Sequence, residues 1–287
     1  MKRPRLFGRV FRGATVAGAI AFGVVAYVYL TLPDVRVLAS TNPTTTAFMK
    51  LRQDEAARDG RKLRHEHRWV RYSRISKNLQ RAVIVAEDSR FFEHEGVDIE
   101  EIRKSIEINM ERGAAIRGAS TITQQLAKNL YLSPSRDPLR KLRELIIARR
   151  MEAALSKARI FEIYLNVIEW GDGVWGAEAA ARRYFGVSAA NLSRDQAAFL
   201  AGAIINPRVL NPARPNRRLL ARQRIILGRM GGVEPPAPVA APMPPEDDVE
   251  PDPLELPDSS APTEELPPPS EELPFTPVPD PADPPSL

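Results

Sequence analysis

The sequence predicts a mostly α-helical domain set between an N-terminal membrane-spanning helix and a disordered C-terminal tail. Three observations carry this reading. Apolar residues between 79 and 230 recur mainly at helical spacing, with few strand signals. A run of 21 uncharged residues, 13–33, follows five basic ones. The last 55 residues, 233–287, hold 19 of the 27 prolines and 14 of the 36 acidic residues, without one Lys or Arg. Such a segment cannot bury a core and is expected to stay extended and solvated. The net charge of +5 hides an asymmetry: the head carries +5 and the tail −14, so residues 34–232 carry +14. With no Cys and three His, the chain excludes a disulfide framework, a thiol nucleophile and a Cys- or His-rich metal centre.

Taken in order, residues 1–12 form a basic segment containing Lys2, Arg3, Arg5, Arg9 and Arg12. Residues 13–33 include Val16, Ile20, Phe22, Val24, Val25, Val28 and Leu30, and about 20 apolar residues in a helix span a bilayer core. By the positive-inside rule the basic segment stays in the cytoplasm and the remainder is translocated. The rival reading is a cleavable signal peptide, which wants small residues where Tyr27, Tyr29 and Leu30 stand. An uncleaved anchor is the better fit. Residues 34–68 read as a polar juxtamembrane stalk, and Trp69–Tyr72 as a short extended piece. Leu79, Val83 and Ala86 follow i, i+4, i+7 and define a helix that ends at Glu87. Long loops are expected around 88–118 and 206–215. Between them, Thr121–Tyr131 is a helix opened by a Thr121/Gln124 capping pair, and Leu139–Leu155 and Arg159–Val167 are two more. Gly176–Tyr184 forms the next, with Gly186 as its terminating glycine. Ser193 and Gln196 cap a further helix that stops before Asn206-Pro207, and a last one runs from about Asn216 to Met230.

Three clusters look like chemistry. The first is Glu87-Asp88-Ser89-Arg90-Phe91-Phe92-Glu93-His94-Glu95-Gly96. A carboxylate at the mouth of an apolar helix is partly desolvated, which raises its pKa and suits it to accept a proton near neutral pH. A solvated loop with Phe91 or Phe92 plugging the core is the competing reading. The second runs from Gly118 to Asn129. Thr121, Gln124, Gln125 and Lys128 share one helical face, with Ile122, Leu126 and Leu130 turned away. A hydroxyl, two amides and an ammonium suit a sugar or a phosphate, and free N–H groups after Gly118 add anion affinity; a merely polar face stays open. The third is Arg140-Lys141-Leu142-Arg143-Glu144. Arg140, Lys141 and Glu144 can converge while Leu142, Leu145 and Ile146 form the buried side. Two cations beside a carboxylate offer a pyrophosphate clamp or, more blandly, a surface ion pair of little worth.

Together these segments resemble the glycosyltransferase module of bacterial peptidoglycan synthases over about residues 69–230. Glu87-Asp88…Phe91-Phe92…His94…Gly96 is similar to the family's E-D-x-x-F-x-x-H-x-G segment. Gly118-Ala119-Ser120-Thr121-Ile122-Thr123-Gln124-Gln125…Lys128-Asn129 resembles G-x-S-T-I-T-Q-Q-x-x-K-N almost letter for letter. Arg140-Lys141…Glu144 resembles R-K-x-x-E. Lys157 through Asn166 resembles K-x-x-I-L-E-x-Y-L-N, with Phe161 where Leu is usual, and Arg222-x-Arg224 through Leu227 resembles the last segment. No Ser has Lys at +3 and there is no K-T-G, the marks of the penicillin-binding transpeptidase domain. The resemblance is therefore to the monofunctional branch, the biosynthetic peptidoglycan transglycosylases.

The resemblance implies a lysozyme-like, mostly α fold over 69–232, with a small membrane-facing lobe at about 97–117. It implies polymerisation of lipid II into β-1,4 glycan strands, with Glu87 as general base and Glu144 positioning the pyrophosphate. The substrate-binding set it implies is Asp88, Phe91, His94, Ser120, Thr121, Gln124, Gln125, Lys128, Asn129, Arg140, Lys141 and Lys157. No cofactor is required; a divalent cation, Mg or Mn, held through Glu144 is the one metal it leaves open. The implied partners are lipid II, the nascent glycan strand and the membrane, with cell-wall synthesis or division proteins as further candidates and no nucleic acid. The implied location is the cell inner membrane, with the catalytic domain periplasmic. A glycan-cleaving enzyme of the same fold and an inactive membrane-anchored scaffold are the rival readings.

Overall fold

A computed structural model describes residues 4–62, 64–113, 118–133 and 137–232. The acidic proline-rich tail, 233–287, lies outside the described residues. Helix α1 (Pro4–Leu30) contains a stretch, Arg12–Leu30, long and apolar enough to cross a membrane. Val16, Ile20, Phe22 and Val25 are exposed along it. A helix that turns such side chains outward is suited to lipid, not to a protein core. Its C-terminal end meets the domain: Val28 is buried, and the rings of Tyr27 and Tyr29 lie 5.7 Å from the Arg143 guanidinium and 4.3 Å from that of Arg150.

Residues 34–68, expected as a stalk, fold onto the domain instead. Val35 and Leu38 are buried, and α2 (Ala47–Arg58) is capped by Thr46, whose hydroxyl accepts from Met49 N–H. Met49 and Ala56 are the buried residues of α2. Two small contacts seven residues apart make a faint apolar stripe, which is why the sequence there reads as polar linker. Strand β1 (Glu66–His67) then pairs with Val174–Trp175, from much later in the sequence. Trp69–Tyr72 is not a sheet strand: Val70 exchanges hydrogen bonds with the Asn166 side chain, and a short 3₁₀ turn follows at Tyr72–Arg74.

Helix α3 (Lys77–Glu87), capped by Ser76, buries Leu79, Ala82, Val83 and Ile84 and ends at Glu87. The expected loop of 88–118 contains a further helix, α4 (Ile99–Glu111), capped by Asp98. Several of its apolar residues face outward: Ile99 is 68% exposed and Met110 77%, whereas Ile102 and Ile108 are half-buried. Ile99, Ile102, Ile106 and Met110 recur at helical spacing, so the helix is legible in the sequence and corrects the expected loop. Helix α5 (Ile122–Tyr131) opens with the expected capping box, Thr121 and Gln124 each bonding the other's backbone N–H. Helix α6 (Pro138–Ala154) presents the face opposite to the one expected. Glu144, Ile147, Ala148 and Met151 are buried, whereas Leu142 is exposed and Leu145 and Ile146 only half-buried. Both faces are apolar enough to serve, and the neutralised carboxylate of Glu144 turns inward with its two cations.

The centre of the fold is α7 (Lys157–Val167), buried at every residue from Ala158 onward. Its polar groups are matched: Glu162 accepts from Arg159 and from Tyr72 N–H. Arg159 also donates to Leu38 O, Thr41 O and Asn42 Oδ1, fastening the segment that leads in from the membrane helix. Strands β2 (Glu169–Gly171) and β3 (Val174–Trp175) complete a three-stranded sheet in the order β1-β3-β2, with β1 parallel and β2 antiparallel to β3. Gly173 turns between them at φ +73, where an added Cβ would lie 2.0 Å from Arg64 O, so only glycine fits. Helix α8 (Ala177–Phe185) ends on Gly186 in the left-handed conformation, as expected. Helix α9 (Arg194–Ala203), opened by the Ser193/Gln196 capping box, packs on α3 and on α10 (Arg217–Arg229).

Candidate active site

Glu87 sits on the last residue of α3, facing α5 and α10. Its Oε2 accepts from Gln125 Nε2 at 2.9 Å, and Gln125 Oε1 in turn accepts from the Tyr164 hydroxyl at 2.9 Å. Burial is the main force on this carboxyl and pushes its pKa up; the Gln125 donor and the charges of Arg222 and Lys128 oppose it, and Asp88 adds to the rise. This is the partly desolvated carboxyl expected from the sequence. The chain turns extended at Asp88, φ −162, so the adjacent carboxylates meet different partners. Asp88 is buried and accepts from His94 Nε2 and from the backbone N–H of Ile122.

On the other side lies the cationic cluster. Glu144 is 3% exposed and accepts from Arg140 Nη1 at 2.7 Å and from Lys141 Nζ. Lys141 also reaches Ser120 Oγ at 3.2 Å. Lys128 is half-buried, and among the described residues its ammonium has no hydrogen-bond or ion-pair partner; it lies 5.8 Å from the centre of the Phe48 ring. Burial lowers its pKa first, with Arg140 and Lys141 acting the same way and Glu144 and Glu87 opposing. Lys128 is thus a desolvated cation within the field of both carboxylates. An unpaired cation in such a place is costly unless an anion meets it.

Other residues expected at the substrate are engaged inside the protein. Thr121 and Gln124 are buried in the cap of α5, and the Thr121 hydroxyl donates to Gly96 O at 2.7 Å. Phe91 is fully buried against Phe92 and Phe161. Lys157 lies 4.4 Å from the Phe91 ring centre and pairs with Glu152, which also holds Thr123. Asn129 donates to Gln125 O on its own helix. His94 is tied to Asp88. These groups fix the 88–96 segment against α5, α6 and α7. Thr121→Ala should therefore cost about 1–2 kcal/mol of stability, and Thr121→Ser should restore most of it. Denaturant titration of the two variants checks this; equal stabilities would remove the structural role.

The fit of a divalent cation at Glu144 is poor, because its two oxygens already face Arg140 and Lys141. Asp88, His94 and Asp98 bring ligand-type atoms within 4.8 Å of one another, but Arg90, Ile122 N–H and Glu101 N–H already supply donors there. Sequence reasoning missed Tyr164 and Glu152. Tyr164 falls within the Lys157–Asn166 segment, but nothing in its spacing points to Gln125.

A half-buried carboxyl with a raised pKa is suited to take a proton from a hydroxyl, and a nearby cationic cluster is suited to neutralise an anionic leaving group. That is group-transfer chemistry on a helical scaffold. The chain belongs to the transglycosylase family, whose profile matches residues 53–231. A biosynthetic peptidoglycan transglycosylase of Nitrosospira multiformis is 49% identical over 195 residues, 68% of this chain and 85% of that protein. One from Methylobacillus flagellatus is 51% identical over 195 residues, 68% and 85% of the two chains. One from Thiobacillus denitrificans is 48% identical over 226 residues, 78% and 96% of the two.

Proposed function

We propose that the protein is a peptidoglycan glycosyltransferase that polymerises lipid II into β-1,4 glycan strands. Glu87 takes the proton from the acceptor GlcNAc 4-hydroxyl as that oxygen bonds to the MurNAc anomeric carbon of the growing strand. The bond from that carbon to the lipid pyrophosphate breaks in the same step. The α-linkage inverts to β, and undecaprenyl pyrophosphate departs with the electron pair. The leaving group is a good one, so the need is to neutralise its charge, not to protonate it. Lys128 and Arg140 meet that charge, with Lys141 beside them, and Glu144 keeps Arg140 and Lys141 in place. The observation that carries the reading is the half-buried Lys128 ammonium, which has no hydrogen-bond or ion-pair partner among the described residues and lies within the field of both Glu87 and Glu144.

The +14 charge of residues 34–232 suits an anionic lipid substrate at a membrane surface. With the basic N-terminal segment in the cytoplasm, α1 crosses the inner membrane and the domain works on its periplasmic face. The test is incubation of the full-length protein in detergent with fluorescent lipid II. Polymer that a muramidase digests is expected. Shortening of added glycan strands without consumption of lipid II would overturn the reading.

A further inference from the structure

Glu87 lies at the open end of α3, where no further helical turn supports it, yet a base must aim one oxygen at its hydroxyl. What aims it is a chain of two hydrogen bonds leading back to the most buried helix of the fold. Tyr164 is 0% exposed on α7, and its hydroxyl donates to Gln125 Oε1 at 2.9 Å; Gln125 Nε2 donates to Glu87 Oε2 at 2.9 Å. We infer that Tyr164 is a positioning residue for the proposed base, holding Glu87 through the Gln125 amide. The inference rests on the reading of Glu87 as the base.

The argument is one of hydrogen-bond polarity. A glutamine amide has two ends of nearly equal size and opposite character. Only the N–H₂ end can meet an ionised carboxylate; the carbonyl end would repel it. A buried tyrosine hydroxyl must place its proton on an acceptor. Burial, with Glu87 and Asp88 nearby, raises the phenol well above its ordinary value, so it keeps that proton. The tyrosine proton therefore claims the carbonyl of Gln125 and turns the N–H₂ toward Glu87. Helix α5 packs directly on α7, so the relay rests on a fixed base. The other groups around Glu87 are Lys128 on α5, Arg222 on α10 and the adjacent Asp88. Among the described residues, Gln125 is the one that hydrogen-bonds its carboxylate.

Tyr164→Phe removes one oxygen and frees the amide to rotate. The donor to Glu87 is then held less firmly while the burial of the carboxyl is unchanged, so it holds a proton to higher pH. The direct measurement is a ¹³C NMR titration of the Glu87 carboxyl in the full-length protein, with a melting curve alongside. In Tyr164→Phe the midpoint should rise by about one pH unit. Gln125→Leu should raise it in the same direction, and the double variant no further than Gln125→Leu alone. In lipid II polymerisation the acid limb of the rate profile should move by the same amount, about tenfold in rate below the limb. An unmoved midpoint in folded Tyr164→Phe, or shifts that add in the double variant, would overturn the relay. A midpoint that moves while the rate profile stays fixed would instead retain the relay and remove Glu87 from the role of base.

Discussion

Glu87→Gln leaves the fold intact and lowers glycan polymerisation by about 10²–10⁴-fold, the usual cost of losing a positioned base. The two side chains are nearly the same size, so packing at the end of α3 is preserved. The carboxylate is also the form that burial disfavours here. Replacing it with a neutral amide removes a desolvation cost, so the melting temperature should hold or rise slightly. The expected variant is thus inactive and at least as stable as the parent, a combination that unfolding cannot imitate. Under the proposed mechanism residual turnover has a physical source, since Lys128, Arg140 and Lys141 would still stabilise departure of the pyrophosphate. Near-normal polymer formation by a folded Glu87→Gln protein would remove this residue from the reaction.

Residue type and spacing made much of this architecture legible. The caps at Thr121, Ser193 and Gly186 and the helices they bound stand in the sequence as they stand in the fold. So do Glu87 at a helix end and the convergence of Arg140, Lys141 and Glu144. Direction was harder to read. Helix α6 has two apolar faces, and spacing alone favoured Leu142, Leu145 and Ile146 as the inner one. The inner face instead carries Glu144, because Arg140 and Lys141 neutralise the carboxylate and let it be buried. Helix α2 buries too little to show a stripe, whereas α4 carries one, Ile99, Ile102, Ile106 and Met110, and was legible as a helix although the segment reads as loop beside its charged residues. Within the motifs, sequence could not separate groups that face a ligand from groups that hold the scaffold. Asp88 and Thr121 are as polar as Lys128, but Ile122 N–H and Gly96 O, which they bond, lie on segments that meet only in the folded chain.

Lys128→Ala is the sharpest test of the charge-neutralising half of the site. If its ammonium meets the departing pyrophosphate, its contribution grows as negative charge develops on the leaving oxygen. It should then appear in the rate of transfer and not only in binding of lipid II. Loss of one preorganised electrostatic group of this kind costs about 10²–10³-fold in rate. Stability should move little, or upward, because the variant relieves the burial of a cation that has no hydrogen-bond or ion-pair partner among the described residues. Lys128→Arg keeps the charge but replaces a compact ammonium with a planar fork, so it should rescue the rate only in part. A solvated lysine would behave differently, with turnover intact and a stability change within about 0.5 kcal/mol. Single-turnover transfer at saturating lipid II, with a melting curve for each variant, separates the two. An unchanged rate in folded Lys128→Ala would leave Arg140 and Lys141 to neutralise the leaving group. Both are already paired with Glu144, so such a site would hold less net positive charge for the pyrophosphate.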